Sequence, residues 1–168
     1  MLPDPLHPAV VHFPIVFMFL LPVAAVVALW AIRRGNRPRL AWSVPTGLAL
    51  ALTLSAWLAV ETGESQEERV EHAIGEGALH SHEGGAERFL VLSGVLLLVS
   101  GAGLLGGYTG RSARLATLAG AIGLAAMGAQ VGHTGGKLVY QKGAASAYLP
   151  GGPGAGMAAA EEGTEQDD

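Results

Sequence analysis

The sequence predicts an all-α membrane protein, a polytopic four-helix bundle with a short extra helix in an outer loop. Half of the 168 residues are apolar and only 14% are charged, and the mean hydropathy is +0.39. A membrane-spanning helix needs roughly 20 mostly apolar residues. Four stretches satisfy this: residues 10–32, 40–60, 89–108 and 115–140, which contain no Asp, Glu, Lys or Arg before Lys137.

The first stretch does not resemble a cleaved secretory signal peptide. Asp4 is the only charged residue before it and the arginines follow it, which is the reverse of the signal-peptide order. We therefore expect it to be retained. The chain has no cysteine, which excludes disulfides, thiolate metal sites, iron–sulfur clusters and covalently attached c-type haem. Any redox cofactor would be bound by histidine or by contacts other than thiolate.

The loop charges predict the orientation in the membrane. Two connections are rich in arginine and free of acidic residues, and such loops face the cytoplasm: Arg33, Arg34, Arg37 and Arg39 between the first two spans, and Arg111 and Arg114 between the last two. The segment 61–88 carries eight glutamates against two arginines. We expect this segment and both termini on the outer side.

All six histidines then fall on the outer side or in the outer half of the bilayer: His7, His12, His72, His80, His82 and His133. Ionisable groups at the edge of the hydrocarbon are costly and often mark functional sites. The alternative is that the positive-inside rule does not constrain histidine, and two loops happen to carry these residues.

The first helix opens with His7-Pro8-Ala9-Val10-Val11-His12-Phe13-Pro14 and contains Pro22, so proline kinks are expected inside it. Pro14 either fixes the start of the helix or directs the His12 ring inward. The second helix contains Pro45. The tryptophans Trp30, Trp42 and Trp57 are expected to lie in the interfacial aromatic belts.

The outer segment has a capping-box pattern at Ser65-Gln66-Glu67-Glu68, which predicts a short helix through about Ala73 that ends at Gly75 and Gly77. His80-Ser81-His82-Glu83 leads from it into the third helix. Small residues along the third helix indicate close packing against a neighbour.

The fourth helix carries glycines at every fourth position, Gly128, Gly132 and Gly136, which predicts a flat packing stripe. Gln130 and His133 lie near its outer end. Gly135 and Gly136 either end the helix or let a planar ligand lie against the backbone. Residues 1–145 are predicted to form the transmembrane domain, and residues 146–168 a disordered acidic tail.

Three motifs resemble a known bacterial family: His-Pro-x-x-Val-His-Phe-Pro-Ile at 7–15, His-Glu at 82–83, and Gly-His-Thr-Gly-Gly-Lys-Leu-Val-Tyr at 132–140. They are similar to the membrane proteins called domain of unknown function 2231. The resemblance implies a small four-helix domain of the bacterial inner membrane, sometimes found alongside haem proteins. Its motif positions here are His7, His12, Pro14, His82, His133, Gly135 and Gly136.

The leading functional hypothesis is a cofactor site for electron transfer, because facing helices of a bundle build haem and metal sites from inward side chains. Haem b suits a chain without cysteine, with His12 and His133 as the principal ligands and His82 as the third or alternate. Gly135 and Gly136 would admit the porphyrin, and Arg88 and Lys137 would hold the propionates. The close variant is a transition metal ion bound by His12, His82, His133 and Glu83.

Two alternatives stay open. One is a non-catalytic subunit of a larger redox or transport complex, with structural histidines and glycine-mediated helix contacts or oligomers. The other is a small transporter, which is less favoured because the polar groups lie at one side of the membrane. The expected partners are the bilayer and a membrane redox complex or c-type cytochrome. Nothing indicates nucleic-acid binding, and no pattern typical of an enzyme is present.

Overall fold

The computed structural model of the chain describes residues 6–74, 76–149 and 151. In this part of the chain the elements are the helices α1 (His7–Val10), α2 (His12–Arg33), α3 (Pro38–Glu64), α4 (Glu67–Ile74), α5 (Glu76–Ala102) and α6 (Gly107–Tyr140), followed by a 3-10 helix (Ala144–Tyr148). No strand occurs among the described residues. Most of the predicted acidic tail and the expected helix end at Gly75 lie outside them.

Four helical segments of the described chain are long and apolar enough to cross a membrane: His7–Arg33, Pro38–Glu64, Leu79–Ala102 and Gly107–Tyr140. The predicted all-α four-helix membrane bundle is confirmed. In the bundle α2 packs against α3, α3 against α5, α5 against α6, and α6 against α2. The helices therefore close into a ring in which α2 lies diagonally opposite α5, and α3 opposite α6.

The core is built from one apolar stripe per helix. Its largest cluster includes Met18, Leu21, Leu52, Phe89 and Leu124. The outward faces are also apolar but exposed, as at Phe19, Val26, Leu98 and Ile122. A soluble monomer rarely exposes such extensive apolar surface, whereas a bundle in hydrocarbon must.

Only one glycine of the predicted four-residue stripe packs against the core. A Cβ on Gly128 would collide with the Met18 sulfur and lie 2.8 Å from Phe89 Cε2, whereas Gly132 and Gly136 have nothing within 4 Å of a Cβ. An α-helix turns 400° over four residues, so a stripe with that spacing drifts around the helix. Only its first member therefore reaches the core.

Two helices, α5 and α6, differ in their bounds from the predicted spans. α5 runs over Glu76–Ala102 instead of 89–108, so the histidines at 80 and 82 are helical. α6 begins at Gly107 instead of residue 115. Hydropathy marks where a helix lies in hydrocarbon, but the helical hydrogen bonds continue past that boundary into the polar interface.

Trp42 was expected in an aromatic belt, and this was wrong. It is fully buried, and its Nε1 donates to the Ser100 carbonyl oxygen at 3.0 Å. Gly103 leaves the space beside its ring, since a Cβ there would collide with the indole. Trp30 and Trp57 are exposed, as the belt prediction requires.

One end of the bundle is covered by α4 and the 3-10 helix; since the loop charges predict that it faces out, we call it the outer end. α4 begins at Glu67, close to the start that the capping box predicted. Leu79, Leu138 and Ala144 form a small core there, with Val70 and Ile74 packed against it. Ala147 is also buried, so the packed structure continues past residue 145.

Candidate histidine site at the outer end of the bundle

The core stripes of the four spanning helices lead at their outer ends to two histidines and two glycines. Residues three, four or seven apart share a helix face. The stripes run through His7, Pro14, Met18 and Leu21; Gly63, Ala59, Ala56 and Leu52; His82, Phe89, Ser93 and Leu96; and Gly135, Gly128, Leu124 and Ala121. We call His7, Gly63, His82 and Gly135 the histidine layer.

His7 is half-buried against α3. Its Nδ1 lies 2.8 Å from the carbonyl oxygen of Ala59, which can only accept a hydrogen bond, so Nδ1 carries the proton and Nε2 keeps its lone pair. Its ring occupies the space beside Gly63, where a Cβ would lie 3.2 Å from His7 Cε1. A larger residue at this position would push the ring away.

His82 is held in the same way by α6. Its Nδ1 lies 3.1 Å from Thr134 Oγ1, and the Thr134 hydroxyl donates its own hydrogen to the Val131 carbonyl oxygen at 2.8 Å. Thr134 therefore accepts from Nδ1, and the lone pair of His82 Nε2 is left free. A Cβ on Gly135 would lie 2.9 Å from His82 Cε1.

The two rings come from opposite corners of the bundle. His7 continues the core stripe of α2 and His82 that of α5, and these two helices lie diagonally opposite each other. Among the described residues neither Nε2 has a hydrogen-bond partner. A histidine that ligates a metal typically donates its other ring N–H to a carbonyl or another oxygen, which fixes the tautomer. Both His7 and His82 meet this condition.

The structure does not bring His12 or His133 into the histidine layer. Both side chains are exposed. His12 precedes Pro14 by two residues, or 200° of helical rotation, and His133 precedes Gly135 by the same interval. Each therefore lies on the face opposite its core stripe. The ligand role expected for these two residues is untested, but their positions make His7 and His82 the better candidates.

The spacing of residues along the sequence could have identified His7 as facing the core, which its expected depth in the membrane could not. His7 lies seven residues before Pro14, and His82 seven before Phe89, so each repeats the core face two turns further out. By contrast, Thr134 and Gly63 become recognisable as partners only when the pairing of helices is known.

The other predicted site residues lie around the layer. Gly136 is beside Gly135, with open space at its Cβ position. Arg88 and Lys137 are exposed, and within the described chain neither forms an ion pair. They are therefore available to bind an anionic group.

Glu83 belongs to a second group, on the outer side of the histidine layer. Glu67 of α4 and His80 and Glu83 of α5 bring one nitrogen and two carboxylate oxygens within 4.8 Å of one another. His80 Nδ1 lies 3.4 Å from Glu83 Oε2. This donor set suits a divalent metal ion. The sequence places His72 and His80 in a glutamate-rich loop where water can satisfy them, which predicts that both are dispensable. This prediction stays untested, and the side chain of His72 lies outside the described part.

Comparison with known proteins gives one match. The model of a protein family described as "Predicted membrane protein (DUF2231)" matches residues 3–147. No curated protein and no solved structure matches the chain.

Proposed function

This chain belongs to the DUF2231 family of membrane proteins, and from that premise we propose that its histidine layer binds haem b and serves electron transfer. The observation that carries the proposal is that two imidazole rings have the same tautomer, with the proton on Nδ1 and a free lone pair on Nε2. His7 and His82 each donate Nδ1–H to an oxygen of a neighbouring helix, and each keeps an Nε2 lone pair. Two such imidazoles could bind the iron of a non-covalent haem b.

Neighbouring glycines and cations support this proposal. Gly63 and Gly135 leave room for the His7 and His82 rings, since a Cβ at either position would press against the imidazole. Arg88 and Lys137 are free to bind carboxylates such as the haem propionates. The haem would supply one-electron chemistry, and the chain would position it at the outer end of the membrane, within reach of a redox complex or c-type cytochrome.

A transition metal ion is the variant supported by the second group. Glu67, His80 and Glu83 offer a mixed nitrogen and oxygen donor set, which suits ions such as Zn²⁺, Mn²⁺ or Fe²⁺. In this variant the acidic outer helix α4 closes the site over α5.

A specific observation also favours a second function, a structural subunit of a larger membrane complex. The Nδ1 hydrogen bond of His7 joins α1 to α3, and that of His82 joins α5 to α6. Interhelical hydrogen bonds of this kind stabilise membrane bundles by about 0.6 kcal/mol each. In this case the histidines need no cofactor.

The optical spectrum and metal content of detergent-purified protein decide between these functions. Protein from haem-replete cells is expected to show a Soret band and sharp α and β bands on reduction, with about one haem per chain. A stoichiometric metal without these bands supports the group around His80 instead. Colourless, metal-free protein that also fails to take up added haem would contradict the proposal that the chain binds a cofactor, and would support the role of a structural subunit.

The proposed orientation places the histidine layer and both termini outside the cytoplasm, in the bacterial inner membrane. It rests on the arginine-rich connections at the opposite end of the bundle. Since the chain has no cysteine, single cysteines report sidedness directly. In intact spheroplasts a membrane-impermeant maleimide is expected to label Gln141→Cys and not Asn36→Cys. The reverse labelling pattern would refute the orientation.

A further inference from the structure

A basic cavity lies at the end of the bundle opposite the histidine layer. It has a volume of about 500 Å³. It is formed where the connection between α2 and α3 meets the connection between α5 and α6, and it is lined by Arg37, Pro38, Arg39, Leu40, Leu105, Gly106, Gly107 and Arg114. Three arginines therefore line one space.

Among the residues that the structure describes, no carboxylate forms an ion pair with these arginines. The sequence contains no Asp or Glu in residues 34–60 or 89–160. Arg114 donates to the carbonyl oxygens of Gly103 at 2.7 Å and Leu105 at 3.1 Å, and Arg39 donates from Nε to Leu104 at 3.2 Å. These bonds use only some of the guanidinium donors. Within the described chain Arg37 has no partner, so the cavity retains a strong preference for an anion.

Two helix N-termini add to the positive potential. α3 starts after Arg37 and α6 after Gly106, and neither helix has a side-chain cap or an acidic residue in its first turn. The positive end of a helix dipole stabilises an anion nearby. The N-termini of α3 and α6 therefore add to the attraction of the arginines for an anion.

A second cavity continues from the first one into the membrane. It is an apolar groove of about 770 Å³ between α2 and α3, and it shares Arg37 and Leu40 with the basic cavity. Along α3 it extends from Arg37 to Leu48, about 16 Å at 1.5 Å per residue. The hydrocarbon core is roughly 30 Å thick, so the groove covers the depth of one leaflet.

We propose that these joined cavities bind one anionic phospholipid. Arg37, Arg39 and Arg114 hold its phosphate, and the groove between α2 and α3 holds one acyl chain. An inorganic anion would use only the basic cavity, and a zwitterionic lipid would lack the net charge that the arginines select. This site is separate from the histidine layer, and its test does not depend on a cofactor.

The test is native mass spectrometry of the detergent-purified chain during titration with phosphatidylglycerol or phosphatidylcholine. We expect one tightly bound phosphatidylglycerol and much weaker binding of phosphatidylcholine. Each arginine near a lipid surface contributes on the order of a fewfold in affinity, so the Arg37→Gln, Arg39→Gln double variant should bind phosphatidylglycerol about thirtyfold more weakly. The matched control is the Arg33→Gln, Arg111→Gln double variant, which removes the same charge outside the cavity and should bind normally.

A second pair of variants tests the acyl chain. Ala24 lines the groove, and Ala24→Leu should weaken lipid binding, whereas Ala126→Leu on the exposed face of α6 should not. The proposal is overturned if both arginine pairs weaken binding equally, if the two lipids bind equally well, or if inorganic phosphate at the same concentration displaces the lipid completely. Helical content and thermal stability without lipid, measured for every variant, show that the bundle is intact.

Discussion

Protein with Gly135→Val is expected to lose its cofactor, while protein with Gly136→Val keeps it. A Cβ at Gly135 would lie 2.9 Å from His82 Cε1 and 3.4 Å from its Nε2, and the two methyl groups of valine need still more space. The ring would have to leave its position against α6 and break its bond to Thr134. Because the ligand atom moves with the ring, we expect cofactor per chain to fall at least about tenfold, the scale seen when orienting contacts of a ligand are lost.

Gly136 is a close control for this change. It lies one residue further along the same helix, and nothing is within 4 Å of its Cβ position, so valine there adds the same volume without touching His82. Haem absorbance or metal content per chain, measured with the elution profile and helical content of each variant, separates loss of cofactor from loss of fold. Full cofactor in Gly135→Val protein would show that His82 is not a ligand. Loss in Gly136→Val protein alone would place the cofactor on the neighbouring face of α6.

Most of the fold could be predicted from the sequence because the membrane imposes simple rules on it. The length of an apolar run sets the length of a span, and four such runs predict a four-helix bundle. These rules failed for a residue type that occurs both in the interfacial belt and in the core. Trp42 carries the signature of a belt residue, but its N–H is satisfied by Ser100 inside the core, and hydropathy does not distinguish these positions.

The candidate site was harder to predict, because the depth of a residue in the membrane does not determine the direction in which its side chain points. His12 and His133 lie within apolar segments, which suggested buried imidazoles. Rotation around the helix decides whether a side chain faces the core, however, and the spacing from Pro14 and Gly135 turns both outward. The same kind of spacing, seven residues from Pro14 and from Phe89, places His7 and His82 on the core face. The partners Ala59 and Thr134 depend on which helices are neighbours, and a single sequence does not give this.

The largest expected effect on cofactor binding comes from removing the two rings of the histidine layer together. The His7→Ala, His82→Ala double variant eliminates both Nε2 ligands and the two hydrogen bonds to Ala59 and Thr134. Loss of these hydrogen bonds alone costs about 0.6 kcal/mol each, so we expect a folded, inserted bundle with little or no cofactor. The matched control is the His12→Ala, His133→Ala double variant, which removes two imidazoles from the exposed faces.

The most direct measurement compares haem and metal per chain in the wild-type protein and these two double variants, purified in parallel from the same haem-replete culture. The expected result is about one cofactor per chain in the wild type and in the His12→Ala, His133→Ala protein, and none above background in the His7→Ala, His82→Ala protein. If the His7→Ala, His82→Ala protein kept its full cofactor, the histidine layer would not be the ligand site. Loss of the cofactor in the other double variant alone would assign the ligands to His12 and His133.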